Sequence, residues 1–320
     1  MQKTIITLTM NPAIDVSTSV GQVVAERKLR CKAPAYEPGG GGINVARAVK
    51  RLGGESTAVY VAGGPTGQMF QQLLNDEGLD QTPLSIAGAT RESFTALDES
   101  SSQQYRFNMP GPALREEEWR RCLEVLETWS RKPEYLVASG SLPPKVPTDF
   151  YARVAATAKK LGARMVVDTS GDALTQAAQA GVYLLKPNMN ELQTLAGEEI
   201  EDETRIEQVA RDIVQTGRCE ALVVSLGAAG AILATKERFE RFRAPTVAIK
   251  SKVGAGDSMV AGLVLSLARG KSLREAMLFG VSAGAAAVTT PGSELCRRED
   301  TERLYEHLLT QYLPDTESKG

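Results

Sequence analysis

Short apolar runs alternate with amphipathic stretches along most of this 320-residue chain, and this alternation restricts its fold more than any other feature. The apolar runs predict strands, and they are Thr4–Thr9, Ser56–Ala62, Tyr135–Ser139, Met165–Asp168, Tyr183–Lys186 and Ala221–Ser225. Helical patterns lie between them at Val45–Leu52, Gly67–Asn75, Glu116–Thr128, Pro147–Leu161 and Arg205–Thr216. This order implies an α/β fold, in which a mainly parallel sheet is covered by helices on both faces and binds ligands at the carboxyl ends of its strands.

Two segments interrupt the alternation. Ser93–Asp98 and Gln103–Met109 flank a polar tip and predict a β-hairpin. Val16–Ala33 is also strand-like and lacks helical periodicity. We expect these segments to form a small antiparallel flap over the sheet, inserted in a single domain that spans residues 1–320. A surface decoration without a functional role is the alternative.

Charge and residue usage exclude several classes of function. Lys and Arg number 37 against 39 Asp and Glu, so nothing suggests a nucleic acid or an anionic membrane as a partner. No apolar run reaches the roughly 18 residues of a membrane span, and the four cysteines are scattered, so we expect a cytoplasmic protein. The only histidine is His307, which argues against Ser-His-Asp catalysis and His-rich metal sites.

The segment Val253–Ser258 carries the strongest functional signal. Gly254, Ala255 and Gly256 precede Asp257 and an apolar helical run. A glycine-rich turn that opens a helix presents unpaired N–H groups and the positive end of the helix dipole, which suits a phosphate group in transfer. A carboxylate at the same place can accept the proton of an attacking hydroxyl. A tight turn with no ligand is the alternative for the glycines alone.

Other polar segments also fall near predicted strand ends. Four glycines precede Asn44, where they form either an N–H-rich binding turn or a linker, and Asp15 is either a ligand for sugar hydroxyls or a turn aspartate. Lys186–Glu191 follows a strand, and Asn188 is a candidate N-cap there, so helix capping competes with Mg²⁺ binding as the role of Glu191. Ser225–Gly227 suits a phosphate or ribose, or is only a turn.

These segments together resemble the PfkB/ribokinase family of sugar kinases over nearly the whole chain. Gly39–Arg47 matches the N-terminal signature of the family, and Val253–Ser258 matches its C-terminal signature. The resemblance implies a ribokinase-like three-layer α/β/α sandwich with a β lid formed by about 16–33 and 93–109. Within the family, Lys28–Cys31 and Ser139–Pro144 are most similar to members that phosphorylate fructose 6-phosphate.

The resemblance also implies a role for each matching residue. Asp257 would be the general base, and Gly254, Ala255 and Gly256 would form the anion hole. The residues implied for the sugar phosphate are Asp15, Gly39, Gly40, Gly41, Gly42, Asn44, Arg91, Ser139 and Arg30. Those implied for MgATP are Lys186, Asn188, Glu191, Ser225, Gly227 and Lys28. The residues implied for a monovalent cation, through backbone oxygens, are Ser251, Val253, Ala287, Thr290 and Gly292, and the position of Glu294 is left open.

The implied reaction is ATP-dependent phosphorylation of D-fructose 6-phosphate at its 1-hydroxyl, with Mg²⁺, and with K⁺ as the candidate monovalent cation. Tagatose 6-phosphate and fructose 1-phosphate are alternative substrates, although relatives that use them tend to carry Lys at the position of Gly41. A nicotinamide-dependent oxidoreductase would need Gly-x-Gly-x-x-Gly after the first strand, where this chain has Thr9-Met-Asn-Pro. A non-catalytic sugar-phosphate sensor is the alternative of a different class. Exposed strands in the flap predict a homodimer that pairs through it.

Overall fold

The computed structural model describes residues 4–130, 132–290, 292 and 294–312, and strands are spread along most of that length. The strands are β1 (Ile5–Thr9), β2 (Ala13–Val20), β3 (Ala35–Gly39), β4 (Thr57–Ala62), β5 (Asp80–Ser85), β6 (Arg91–Asp98), β7 (Gln103–Asn108), β8 (Tyr135–Ser139), β9 (Arg164–Asp168), β10 (Val182–Leu185), β11 (Cys219–Ser225), β12 (Ala231–Ala234) and β13 (Phe239–Phe242). The six strands predicted for the parallel sheet are therefore confirmed, with ends shifted by at most two residues.

Nine of these strands form the central sheet, in the order β13-β12-β11-β10-β9-β8-β1-β4-β5. The strands from β11 to β5 run parallel, and β12 and β13 add an antiparallel edge. Every residue of β1 and β8 is buried, because helices cover both faces of the sheet. The carboxyl ends of β11, β10, β9, β8 and β1 consequently lie side by side at one edge.

The helices form the two outer layers. They are α1 (Gly41–Arg51), α2 (Gly64–Asp76), α3 (Glu116–Glu127), α4 (Phe150–Leu161), α5 (Gly171–Ala180), α6 (Met189–Ala196), α7 (Glu203–Gln215), α8 (Ala255–Ala268), α9 (Leu273–Ala287) and α10 (Arg298–Tyr312). Helices α3 to α7 pack with Leu136 on one face of the sheet, and α1, α8, α9 and α10 pack with Val137 on the other. The alternation of side chains along a strand thus separates these two clusters, a smaller third cluster packs α2 against β4, and the three-layer prediction is confirmed.

A second sheet, which we call the lid, contains four strands in the order β3-β2-β6-β7. The predicted hairpin is confirmed as β6 and β7. The antiparallel prediction holds for β2 with β3 and for β6 with β7, whereas β2 and β6 run parallel. The prediction that Val16–Ala33 is strand-like throughout is wrong, because β2 ends at Val20 and residues 21–34 form an exposed loop before β3.

The sequence also misplaces the start of α1. The prediction began this helix at Val45, but it begins at Gly41, with Gly40 as its N-cap. Two of the four glycines are therefore helical, and their lack of side chains lets the first turn approach the ends of β1 and β8 closely. In the part of the chain that the structure describes, no helix is both long and apolar enough to cross a membrane.

Candidate active site

Asp257 lies in the first turn of α8, beside the carboxyl edge of the sheet. Its Oδ2 accepts a hydrogen bond of 2.9 Å from Asn44 Nδ2 on α1. Burial raises the pKa of Asp257 to about 6, the negative charge of Asp168 acts in the same direction, and the Asn44 bond and the charge of Lys186 act against it. A carboxylate in this range is mostly ionised at neutral pH and can still accept a proton in a reaction.

The turn before Asp257 has the geometry of an anion site. Gly254 caps α8 with a φ of 72°, a left-handed conformation that favours glycine. A Cβ atom on Gly254 would also lie 2.5 Å from Leu295 Cδ2, so packing excludes a side chain there. The N–H of Ser258 is the first in α8 that bonds back to Gly254 O, so the N–H groups of Ala255, Gly256 and Asp257 have no acceptor within α8 and can turn to an anion.

Lys186 and Asp168 form a buried ion pair in front of this turn. The distance from Lys186 Nζ to Asp168 Oδ1 is 3.0 Å, and the lysine side chain is only 6% exposed. Burial alone would lower the pKa of Lys186, but the carboxylates of Asp168, Glu191 and Asp257 raise it, so the lysine stays charged. A Cβ atom on Gly256 would lie 3.6 Å from Lys186 Nζ, which places the lysine beside the anion turn.

Asp168 is a site residue that the sequence reasoning missed. It was predicted only as the end of a strand, and the structure places it as the last residue of β9. An aspartate at the carboxyl end of a parallel strand, next to a strand that is followed by a lysine, was the available signal.

Asp15 and Arg91 lie on neighbouring strands at the base of the lid. Burial raises the pKa of Asp15 to about 6, and the positive charge of Arg91 acts against that rise. Arg91 donates from Nη1 to Met109 O (3.0 Å) and from Nη2 to Asn11 O (3.1 Å), and its Nε is buried without a partner among the described residues. A guanidinium held at two nitrogens, with a third left over, is suited to an oxyanion.

The glycines before α1 make room for these side chains. A Cβ atom on Gly39 would lie 2.1 Å from Asp15 Oδ2, and one on Gly41 would lie 2.3 Å from Ser139 Oγ. Similarly, a Cβ atom on Gly42 would lie 2.5 Å from Thr9 Oγ1. The structure therefore brings this segment, Asp15 and Ser139 together as the sequence suggested. It also shows that the glycines serve close packing of α1 on the sheet.

Asn188 and Glu191 cap α6 next to the end of β11. Asn188 is confirmed as the N-cap, since its Oδ1 accepts from Glu191 N at 2.9 Å and Glu191 Oε2 accepts from Asn188 N at 2.8 Å. Asn188 also forms a bridge to Ser225, from which the chain continues to the exposed Gly227. Apart from Lys28, the residues expected to hold a nucleotide thus lie along two adjacent strand ends, β10 and β11.

The carboxylates suit Mg²⁺ that arrives with phosphate oxygens. No group of three or more His, Cys, Asp or Glu side chains forms a ready metal site within the described residues. Burial raises the pKa of Glu191, and the charge of Asp168 acts in the same direction, as expected for carboxylates that lie close together. Mg²⁺ commonly uses one or two carboxylates, waters and substrate phosphates, so these two side chains fit that donor set.

The residues expected to bind a monovalent cation also lie together. Ser251 Oγ donates to Gly292 O at 2.6 Å, and Thr290 Oγ1 donates to Ala287 O at 2.7 Å. Ser251 Oγ in turn accepts from Val253 N at 3.2 Å. The loop before α8 and the loop after α9 therefore meet, with carbonyl oxygens that keep a second lone pair, and this donor set suits a large monovalent cation.

Two predicted residues lie away from this arrangement. Lys28 and Arg30 are exposed in the loop 21–34 of the lid. That loop is held to β6 by the bond from Val23 N to Asp98 Oδ2, at 2.9 Å. Their proposed roles at the nucleotide and the sugar phosphate stay predictions.

Residues 4–300 match the pfkB family of carbohydrate kinases. The chain is 46% identical to the ATP-dependent 6-phosphofructokinase isozyme 2 of Mycobacterium tuberculosis, over 94% of this chain and 89% of that protein. It is 31% identical to the 1-phosphofructokinase of Bacillus subtilis, over 94% of this chain and 97% of that protein.

Solved structures of phosphofructokinase-2 from Escherichia coli are also similar. The complex with potassium superimposes with a TM-score of 0.92, the complex with fructose 6-phosphate with 0.90, and a tetrameric inhibited form with 0.91. Each is 42% identical, and each match covers 96% of this chain and 99% of the other. The chain therefore belongs to the pfkB family of carbohydrate kinases.

Proposed function

We propose that this protein transfers the γ-phosphoryl group of ATP to the 1-hydroxyl of D-fructose 6-phosphate and so forms fructose 1,6-bisphosphate. The observation that carries the proposal is the position of Asp257, with its pKa of about 6, in the first turn of α8 beside three N–H groups that have no acceptor within the helix. The identities of the relatives described above support the choice of sugar.

Asp257 acts as the general base. It accepts the proton of the 1-hydroxyl while that oxygen attacks the γ-phosphorus in line with the leaving ADP oxygen. Asn44 fixes the orientation of the carboxylate through its 2.9 Å bond, and the N–H groups of 255–257 stabilise negative charge on the transferring group. Positioning and electrostatic stabilisation supply most of the rate in reactions of this kind.

The nucleotide half of the site uses Lys186, Asn188, Ser225 and Gly227. Lys186 stays charged because of Asp168, and its position beside the anion turn lets it contact the phosphates. Mg²⁺, held by Glu191 and Asp168 with water and phosphate oxygens, would neutralise part of the phosphate charge.

K⁺ would bind through the backbone oxygens of the loops that meet beside α8. The bond from Ser251 Oγ to Gly292 O joins these loops, and the bond from Thr290 Oγ1 to Ala287 O lies within the second of them. A cation there would stabilise the turn that presents the anion hole.

The sugar half of the site uses Asp15, Asn44, Ser139 and Arg91 with the glycines 39–42. Asp15 accepts bonds from sugar hydroxyls, and the free Nε of Arg91 bonds the 6-phosphate. Gly41 leaves no space for a longer side chain next to Ser139, so the lysine typical of kinases for fructose 1-phosphate or tagatose 6-phosphate would require a backbone shift. This favours fructose 6-phosphate over both alternatives.

The lid would also form a twofold dimer interface. Strand β7 is an edge strand whose six residues are all exposed, and Phe107 and the adjacent Met109 are 50% and 48% exposed. An exposed strand edge of this kind is prone to pair with a second chain. Pairing would carry Lys28 and Arg30 of one subunit towards the site of the other, and the closed lids would exclude water from the reaction.

A coupled assay of ADP release tests the proposal. Fructose 6-phosphate, tagatose 6-phosphate, fructose 1-phosphate and unphosphorylated fructose are compared at equal concentrations with MgATP. We expect the highest kcat/KM for fructose 6-phosphate. A higher value for another sugar would assign the enzyme to that substrate, and no ADP release with any of them would favour the sugar-phosphate sensor.

A further inference from the structure

Arg47 on α1 is a buried cation that the proposed reaction does not use. Its side chain is 1% exposed. A guanidinium that has lost its water is tolerated in a protein interior only where acceptors surround it. The contacts of Arg47 therefore indicate what the structure gains from this residue.

The guanidinium joins three segments of the chain. Its Nε lies 2.9 Å from both carboxylate oxygens of Glu77, and its Nη2 lies 2.6 Å from Glu77 Oε1. Its Nη1 donates to Pro38 O at 2.9 Å, and its Nη2 lies 3.3 Å from Glu37 Oε1. Arg47 thus connects α1 with the end of α2 and with lid strand β3.

The position of Glu77 supports a dedicated pairing. Glu77 is the C-cap of α2, where the helix dipole disfavours a negative charge. The bonds from Arg47 offset that cost. The fork of the guanidinium can reach the carboxylate and the Pro38 carbonyl together, which a single ammonium group cannot do.

The part of β3 that Arg47 holds is the part that contacts Asp15. In the pairing of β3 with β2, Glu37 lies opposite Asp15 and Pro38 lies opposite Ile14. The next residue, Gly39, packs so closely on Asp15 that a Cβ atom would lie 2.1 Å from the carboxylate. A shift of β3 would therefore move the residues that pack around the Asp15 carboxylate.

The same helix also holds the proposed base. Asn44 precedes Arg47 by three residues, close to one turn of α1, and donates to Asp257. One short stretch of α1 thus contacts both Asp257 in the core, through Asn44, and strand β3 of the lid, through Arg47.

We propose that Arg47 is a positioning residue for the sugar phosphate, which locks lid strand β3 to α1 and so sets the distance between Asp15 and Asp257. The inference rests on the proposed function. Arg47 touches no reacting atom, and its effect is exerted through β3 and Asp15. It should therefore affect binding of the sugar and leave binding of ATP unchanged.

The test compares Arg47→Lys with Arg269→Lys by steady-state kinetics and thermal unfolding. Arg269 is a matched control, because it donates to the carbonyls of Leu52 and Gly53 at the other end of α1 and does not contact the lid. We expect Arg47→Lys to raise the KM for fructose 6-phosphate about tenfold or more and to leave the KM for ATP within about twofold. Arg269→Lys should lower the Tm without changing either KM.

Three outcomes would overturn the inference. The first is that Arg47→Lys raises the KM for fructose 6-phosphate by less than about threefold. The second is that Arg47→Lys raises the KM for ATP equally, and the third is that Arg269→Lys raises the KM for the sugar equally. If Arg47→Lys does not fold, Glu77→Gln decides, since it keeps the cation and weakens its anchor. A rise of threefold or more in the sugar KM supports the inference, and a smaller one overturns it. Failure of the wild type to phosphorylate fructose 6-phosphate would instead contradict the proposed function.

Discussion

The two halves of the site differ in the structure that holds them. Asp257 lies on α8, a helix buried against the central sheet, whereas Asp15 lies on a strand of the lid, whose outer strand β7 is fully exposed. Burial raises the pKa of both aspartates to about 6. The two aspartates therefore have similarly raised pKa values, although one lies in the buried core and the other in the partly exposed lid.

This difference suggests a division of work. The core fixes the proposed base, the anion turn and the buried pair of Lys186 with Asp168, an arrangement suited to transfer of a phosphoryl group. The lid supplies Asp15 and Arg91, which we propose recognise the acceptor, and it has few buried residues of its own. We therefore expect changes in the core to act on kcat and changes in the lid to act on KM and on assembly.

The largest effect should come from Asp257→Asn. The asparagine keeps the size of the side chain and an oxygen for the Asn44 bond, but it cannot take the proton. We expect kcat to fall by about 10²- to 10⁴-fold while ATP binding is retained. Steady-state kinetics and a nucleotide titration measure the two quantities.

Asp172→Asn is the matched control for this variant. Asp172 is also an aspartate in the first turn of a helix, but it lies exposed on α5. It should retain full activity. A kcat for Asp257→Asn within threefold of the wild type would remove Asp257 from the mechanism.

The next largest effect should come from Arg91→Ala in the lid. Loss of a charge-assisted bond to the 6-phosphate, worth about 1.5–3 kcal/mol, should raise the KM for fructose 6-phosphate by about 10- to 100-fold. The KM for ATP should change little. Arg106→Ala removes an exposed lid cation that acts more weakly on Asp15, and should have a much smaller effect. If the KM for ATP rises instead, the sugar and nucleotide halves of the site have been assigned in reverse.

Phe107→Pro tests the assembly of the lid. A proline on β7 removes a backbone donor and should weaken pairing of two lids, so that the proposed dimer dissociates at higher protein concentrations and activity falls with it. A lost backbone hydrogen bond of about 1 kcal/mol corresponds to roughly a fivefold change in the dissociation constant. Phe107→Val keeps the donor and serves as the control. Analytical ultracentrifugation beside kinetics decides, and a fully active monomer would place any dimer interface elsewhere.

The last effect concerns stability and not the rate. Because the pKa of Asp257 is about 6 in the folded chain and 3.8 in the reference state, the folded state binds more protons between about pH 4 and 6. The free energy of unfolding of the wild type therefore falls as the pH rises through that range. Asp257→Asn lacks the titrating carboxyl group, so its free energy of unfolding should not fall in this way. It should exceed that of the wild type by about 1–3 kcal/mol at pH 7 and differ little at pH 4. Denaturant unfolding at both pH values measures it, and equal stability at pH 7 would contradict the raised pKa.

The sequence predicted the core better than the lid for a physical reason. Parallel strands such as Tyr135–Ser139 are buried on both faces and read as continuous apolar runs. Strand β3, with the sequence Ala-Tyr-Glu-Pro-Gly, has no such pattern and was missed, as was the loop 21–34. Edge strands of a small sheet depend on their neighbours for stability, and local sequence carries little of that information.

The candidate site shows the same limit. The motif at Gly254–Asp257 is local, so the sequence could assign its helix start and its carboxylate. The pairing of Lys186 with Asp168 and the contacts of Arg47 join residues from separate strands and helices, and one sequence gives no distance between them. Asn188 is an intermediate case, since its capping bond spans only three residues and was predicted correctly.

The most direct test of the central claim is identification of the product by ³¹P NMR. Wild type and Asp257→Asn are incubated with MgATP and fructose 6-phosphate under the same conditions. We predict that the wild type produces ADP and a sugar that carries phosphates on both C1 and C6, and that Asp257→Asn produces almost none in the same time. Phosphorylation at another hydroxyl, release of inorganic phosphate alone, or equal product from the variant would contradict the account.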